Sequence, residues 1–152
     1  MEKLQITGYI LLGVCLGLSA YTDLRKRLIS VWICLIFGGC GLALAVIEAC
    51  MLHSWGPAGD ALLGLVPAAI LYGASRITRG AIGTGDAILF AVSGLYLGLI
   101  RNLALIWTSC FFALAAGGVL IALKKIKRKS SLPLAPFALA AWAALGAGGF
   151  II

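Results

Sequence analysis

Six long apolar runs restrict the fold of this chain more than any other feature. They cover residues 4–21, 29–51, 61–74, 87–100, 103–123 and 134–152 of a 152-residue sequence. A membrane-spanning α-helix needs about 20 mostly apolar residues, and within lipid a helix satisfies its own backbone polar groups. The runs therefore predict an all-α, polytopic membrane bundle of about six transmembrane helices, forming a single domain over residues 1–152.

Charged residues are few and unevenly placed. They make up 11% of the chain, against about 25% in soluble domains. Ten of the twelve basic residues fall in alternate connections, after the first, third and fifth runs: Arg25, Lys26, Arg27, Arg76, Arg79, Lys124, Lys125, Lys127, Arg128 and Lys129. Basic loops remain cytoplasmic, so the pattern predicts a protein of the inner (cytoplasmic) membrane with both termini outside. The net charge of +7 then reflects topology, and we expect a lipid environment and no nucleic-acid partner.

Two of the five acidic residues lie at those ends of apolar runs that adjoin the basic connections. Asp23 follows the first run, and Asp86 opens the fourth after Gly83 and Gly85. An ionisable group entering lipid is by default a functional-site hypothesis. The predicted topology puts both aspartates at the same cytoplasmic face and at similar depth. The sequence therefore predicts a two-aspartate site facing the cytoplasm.

A pair of aspartates can hydrolyse a peptide bond. One carboxylate takes a proton from water, while the other, protonated, polarises the scissile carbonyl; neighbouring carboxyl groups share a proton for this purpose. Asp86 begins a helix, where the dipole favours an anion, and Asp23 ends one. We therefore expect Asp86 to ionise more readily and Asp23 to hold the proton. The alternatives are that Asp86 only caps its helix and that Asp23 only pairs with Arg27.

Glycines accompany both aspartates. Gly83 and Gly85 allow unusual backbone angles and close backbone approach, so we expect them to position an extended substrate beside Asp86. The spacings Gly13-x-x-x-Gly17 and Gly94-x-x-x-Gly98 are typical of closely packed membrane helices. They predict that the two helices carrying the aspartates pack on each other through these faces.

The sequence shows no pattern for a metal or a cofactor. Its five cysteines include no Cys-x-x-Cys pair, the spacing expected of a zinc ribbon or a redox motif. Glu48, late in the second run, is a membrane acid that a transporter could use. We expect no cofactor and no bound metal.

Three segments resemble the type IV prepilin peptidases, bacterial membrane aspartyl proteases with a Gly-x-Gly-Asp motif. The first runs from Tyr21 to Ser30 and includes Asp23; the second runs from Gly80 to Leu89 and includes Asp86. The third, Leu132-Pro133-Leu134-Ala135-Pro136-Phe137, is similar to the start of the family's last helix. Many members have a lysine where this chain has Ile88.

The resemblance implies a catalytic pair, Asp23 and Asp86, that removes the basic leader of type IV pilin-like precursors. It also implies a short form of the family, because no cysteine-containing insert follows the first run. Two alternatives remain open. One is another Gly-x-Gly-Asp intramembrane protease, of the signal-peptide-peptidase and presenilin group, and the other is a non-enzymatic small transporter or pilus-assembly scaffold. The sequence does not give the oligomeric state.

Overall fold

Six helices account for the regular structure of the described part of the chain. The computed structural model describes residues 2–26, 29–78, 83–123 and 133–149. Its helices are α1 (Glu2–Lys26), α2 (Val31–Met51), α3 (Gly56–Leu63), α4 (Leu65–Ile77), α5 (Thr84–Ala122) and α6 (Ala135–Ala147). Four stretches are long and apolar enough to cross a membrane, and α6 is a shorter apolar helix. The predicted all-α membrane bundle is confirmed.

α5 is a helical hairpin folded at a single glycine. Gly98 has φ 70° and ψ −171°, angles that interrupt the helix. Asn102 Nδ2 donates to the carbonyl of Phe90 at 3.1 Å, although twelve residues of straight helix would separate them by about 18 Å. The chain therefore reverses at Gly98, and its two arms, 84–97 and 99–122, correspond to the fourth and fifth predicted spans. The polar loop usual between two spans is absent from this turn.

The third predicted span is interrupted at Gly64. Pro67 has no N–H, so the carbonyl four residues earlier loses its normal helical partner, and the span is divided there into α3 and α4. The Gly64 carbonyl accepts a hydrogen bond from Asn102 Nδ2 at 2.9 Å. Ser93 Oγ lies 2.7 Å from Asn102 Oδ1. Asn102, fully buried, thus joins both arms of the hairpin to the interruption.

α1 packs against α6 through aromatic rings. Tyr9 stacks on Trp142 with ring centroids 4.3 Å apart, and a Cβ on Gly13 would strike the same Trp142 ring. A Cβ on Gly94 would strike the Gly64 backbone, whereas one on Gly17 would meet nothing within 4 Å. The prediction that the two glycine pairs face each other is wrong, because Gly13 packs against α6 and Gly94 packs against the backbone at Gly64.

Candidate active site

Asp23 is a buried carboxylate in the last turn of α1. Its side chain is 7% exposed, and its Oδ2 accepts a hydrogen bond from the backbone N–H of Ala135 at 3.2 Å. Ala135 is the first residue of α6. The end of α1 therefore meets the beginning of α6 at this carboxylate.

Asp86 lies in the first turn of α5 and approaches Asp23. It is the third residue of the helix, after Thr84 and Gly85, and its side chain is half-buried. The two carboxyl groups are close enough to interact electrostatically. A Cβ on Gly85 would also lie 3.1 Å from Ile29, shortly after the end of α1. Two aspartates 63 residues apart in sequence therefore lie at the same end of the bundle, which we call the aspartate end.

Helix dipoles do not separate the two carboxyl groups as the sequence suggested. Asp23 does end α1, but it also accepts an N–H from the start of α6. Asp86 lies in the first turn of α5, so each carboxyl group is next to a helix N-terminus, where a negative charge is stabilised. The alternative that Asp86 is the N-cap is wrong, since α5 begins two residues before it. The alternative partner of Asp23, Arg27, lies outside the described residues.

Gly83 and Gly85 are needed for close approach rather than for unusual angles. Neither has a positive φ, so the prediction that they provide unusual backbone angles is wrong. A Cβ on Gly83 would lie 2.7 Å from Asp86 Oδ2, and one on Gly85 would lie 3.1 Å from the Cβ of Ile29. Gly83 leaves room for the Asp86 carboxylate, and Gly85 lets the segment before α2 approach α5. Their role in holding substrate stays a prediction.

Gly83→Ala is expected to reduce the activity of the aspartate pair strongly while the bundle stays folded. The added methyl group would overlap Asp86 Oδ2 and push the carboxylate out of place, and an error of about 1 Å at a reacting group can cost on the order of 100-fold in rate. The measurement is the turnover of a cleavable precursor by the purified variant. Gly17→Ala, which adds the same methyl group in open space, is the matched control; equal activity in both variants would contradict the prediction.

Two neighbours of the aspartates were not predicted from the sequence, although Ala135 lies in the third segment of the family resemblance. The Ala135 N–H is a backbone group, so the identity of the side chain does not indicate that it is a hydrogen-bond donor to Asp23. Cys110 lies on the second arm of α5, twelve residues after Gly98 as Asp86 lies twelve before it, so the fold at Gly98 brings the two positions to a similar level of the bundle. Ile88, where many prepilin peptidases have lysine, packs against the hydrophobic core.

Basic side chains share the aspartate end. Arg25 is exposed near the end of α1, with its guanidinium carbon 5.3 Å from the centre of the Tyr21 ring, and Arg76 is exposed in the last turn of α4. The other predicted basic residues, Arg27, Arg79 and those at 124–129, lie outside the described residues, as does the side chain of Lys26. Within the described part of the chain, no three His, Cys, Asp or Glu side chains are grouped so as to hold a metal ion.

A separate cavity of about 610 Å³ opens at the other end of the bundle. It is lined by the start of α1, the end of α2, α3 and the Gly98 turn, with Glu48, Asp60 and Arg101 among its polar residues. Gln5 Nε2 lies 3.5 Å from Glu48 Oε1, and Asp60 Oδ1 accepts the N–H of Leu99 at 3.4 Å. Twelve residues of helix, about 18 Å, separate this turn from Asp86. The cavity is therefore remote from the aspartate pair.

Comparison with known proteins identifies the family. The sequence profile of the type IV leader peptidase family matches residues 10–123. This stretch includes Asp23, Asp86, Gly83 and Gly85. Neither the curated proteins nor the solved structures compared with the chain gave a match. The profile covers about three quarters of the 152 residues, and its members are proteases. This chain belongs to the type IV leader peptidase family.

Proposed function

We propose that this protease is an aspartic endopeptidase that removes the basic leader from type IV pilin-like precursors at the cytoplasmic face of the membrane. The observation that carries the proposal is the position of Asp23 and Asp86 at the same end of the bundle, where the start of α5 approaches Ile29, shortly after the end of α1. Family membership supports a leader peptidase. The buried position of Asp23 supports a pair that works out of bulk water.

The two carboxyl groups would share one proton during the reaction. The ionised member takes a proton from a water molecule, whose oxygen attacks the scissile carbonyl carbon, while the protonated member gives its proton to the carbonyl oxygen. The tetrahedral intermediate then collapses: the protonated member gives its proton to the leaving amine, the C–N bond breaks, and one hydroxyl group of the intermediate returns its proton to the ionised member as the carbonyl re-forms. The pair again holds one proton at the end of the cycle.

Exposed basic residues support a cytoplasmic position for the aspartate end. Arg25 and Arg76 lie there, and basic residues next to membrane spans favour the cytoplasmic side. The cavity at the opposite end is a pocket, but it lacks the paired carboxyl groups that this hydrolysis requires. A precursor whose own helix lies in the bilayer can reach the pair from the lipid and does not require an enclosed pocket.

Leader removal from candidate precursors tests the proposal. We expect the purified protein in a bilayer to shorten a pilin-like precursor by the mass of its leader, with Asp23→Asn and Asp86→Asn each inactive. Asp60→Asn is the matched control, because it changes the third aspartate of the chain at the remote end, and asparagine Oδ1 can still accept the Leu99 N–H. Inside-out membrane vesicles should cut an added precursor, and right-side-out vesicles should leave it intact.

Two results would refute the proposal. Cleavage at close to the wild-type rate by either Asp23→Asn or Asp86→Asn would exclude a two-aspartate mechanism. If no pilin-like precursor is cleaved while an unrelated membrane-helix substrate is, the chain has a different protease specificity. Cleavage in right-side-out vesicles would reverse the proposed orientation and leave the chemistry unchanged.

A further inference from the structure

The beginning of α6 provides a backbone partner for the candidate site. The Ala135 N–H and Asp23 Oδ2 are 3.2 Å apart, although 112 residues separate them in sequence. Ala135 is fully buried and Asp23 nearly so. A hydrogen bond to a charged group is stronger than one between neutral groups, and burial excludes water as a substitute partner.

The Ala135 N–H is available for this contact because of its place in the helix. The first N–H groups of an α-helix have no carbonyl partner within it. The next residue, Pro136, has no N–H at all, and the first intrahelical bonds come from Phe137 and Ala138 to the Leu134 carbonyl, both at 3.0 Å. Ala135 therefore offers a donor that the helix itself does not use, and Asp23 accepts it.

α6 is held firmly enough to position that donor. Ala135, Ala138 and Ala141 are all fully buried along one face of the helix. Near its other end, the Tyr9 hydroxyl donates to the Trp142 carbonyl at 3.2 Å in addition to the ring stacking. The helix thus contacts α1 both at Trp142 and at Asp23.

We propose that the N-terminus of α6 is a positioning element of the aspartate pair, in which the Ala135 N–H fixes one oxygen of Asp23 and so orients its carboxylate for the reaction. The catalytic part of this inference rests on the proposed function. One oxygen, Oδ2, is held by α6, and Oδ1 is left for the shared proton or the attacking water. The family profile ends at residue 123, so this contribution comes from a helix beyond the matched region.

An amide-to-ester replacement tests the contact at a single atom. Replacing Ala135 by lactic acid keeps the methyl side chain and changes the N–H into an ester oxygen. The expected result is a fall in kcat of about tenfold to a hundredfold, the size of a lost hydrogen bond to a charged group, with KM unchanged because the leader is still bound. The same replacement at Ala138 is the matched control, since it removes an ordinary helical hydrogen bond in the same buried face.

Carbon-13 NMR provides a readout that does not depend on cleavage. The chain has three aspartates, Asp23, Asp60 and Asp86, so side-chain carboxyl labelling gives three signals, which the three Asp→Asn variants assign. The Ala135 ester should move the Asp23 signal and leave the Asp60 signal in place, while the Ala138 ester should move neither. If the Ala135 ester moves the Asp23 signal but the wild-type protein cleaves no pilin-like precursor, the contact is supported and the proposed function is overturned.

Two outcomes would overturn the inference. One is an Asp23 signal that the Ala135 ester leaves unchanged. The other is an equal loss of kcat in both esters, which would show that α6 matters only for folding.

Discussion

The double variant Asp23→Asn/Asp86→Asn is expected to cleave a precursor no more slowly than either single variant. Each single change should lower kcat by on the order of 1,000-fold or more, because groups that act as one catalytic unit lose most of their effect when any member is removed. Once Asp23 is gone, Asp86 has no partner with which to share a proton. The measurement is kcat for the wild type, the two single variants and the double variant on one precursor.

Independent roles for the two aspartates would give a different result. The two losses would then multiply, and the double variant would fall far below both single variants. Pairing Asp23→Asn with Asp60→Asn provides the control, because Asp60 lies at the remote end beside Leu99. That double variant should match Asp23→Asn alone.

Gly98→Ala is expected to destabilise the bundle by more than Gly118→Ala, a glycine substitution in the same helix. Gly98 combines φ 70° with ψ −171°, a region that is essentially restricted to glycine, and forcing another residue into it costs about 1–3 kcal/mol. A Cβ there would also overlap the Asp60 carboxylate, which adds a steric cost. The measurement is the free energy of unfolding in detergent micelles, followed by circular dichroism.

A glycine on the same element supplies the comparison. Gly118 lies in the second arm of α5, and a Cβ on it would meet nothing within 4 Å, so Gly118→Ala should leave stability equal or raise it by up to about 1 kcal/mol. Adding Asp60→Ala to Gly98→Ala should recover the steric part of the loss and leave the backbone part. Equal stability of Gly98→Ala and Gly118→Ala would show that the turn does not depend on glycine.

The position of the aspartate pair was predictable because it depends only on the number of membrane spans between the two residues. Two spans lie between Asp23, at the end of the first, and Asp86, at the start of the fourth, so the chain returns to the face it left. The basic connections gave an independent indication of the same face. Apolar runs and positive charges are long-range features that survive errors of several residues. The division of α5 into two passes followed for the same reason, even though α1 extends to Lys26, five residues beyond its predicted end.

Close contacts between helices were not predictable in the same way. Gly94 and Gly98 have the spacing of a helix-packing face, yet Gly98 is a turn residue. An apolar sequence does not distinguish a glycine in a turn from a glycine in a packed helix face. The partner of Asp23 was hidden for a different reason. Every residue except proline carries a backbone N–H, so only the three-dimensional arrangement of α1 and α6 selects that of Ala135.

The single-residue reversal in α5 has a consequence for how the protein enters the membrane. Between Thr84 and Ala122 the charged side chains are Asp86 and Arg101, and no hydrophilic loop joins the two arms. Insertion of this segment therefore moves little more than one arginine across the bilayer, since the remainder of the turn is mostly apolar. The two arms can therefore partition into lipid together as one helical hairpin.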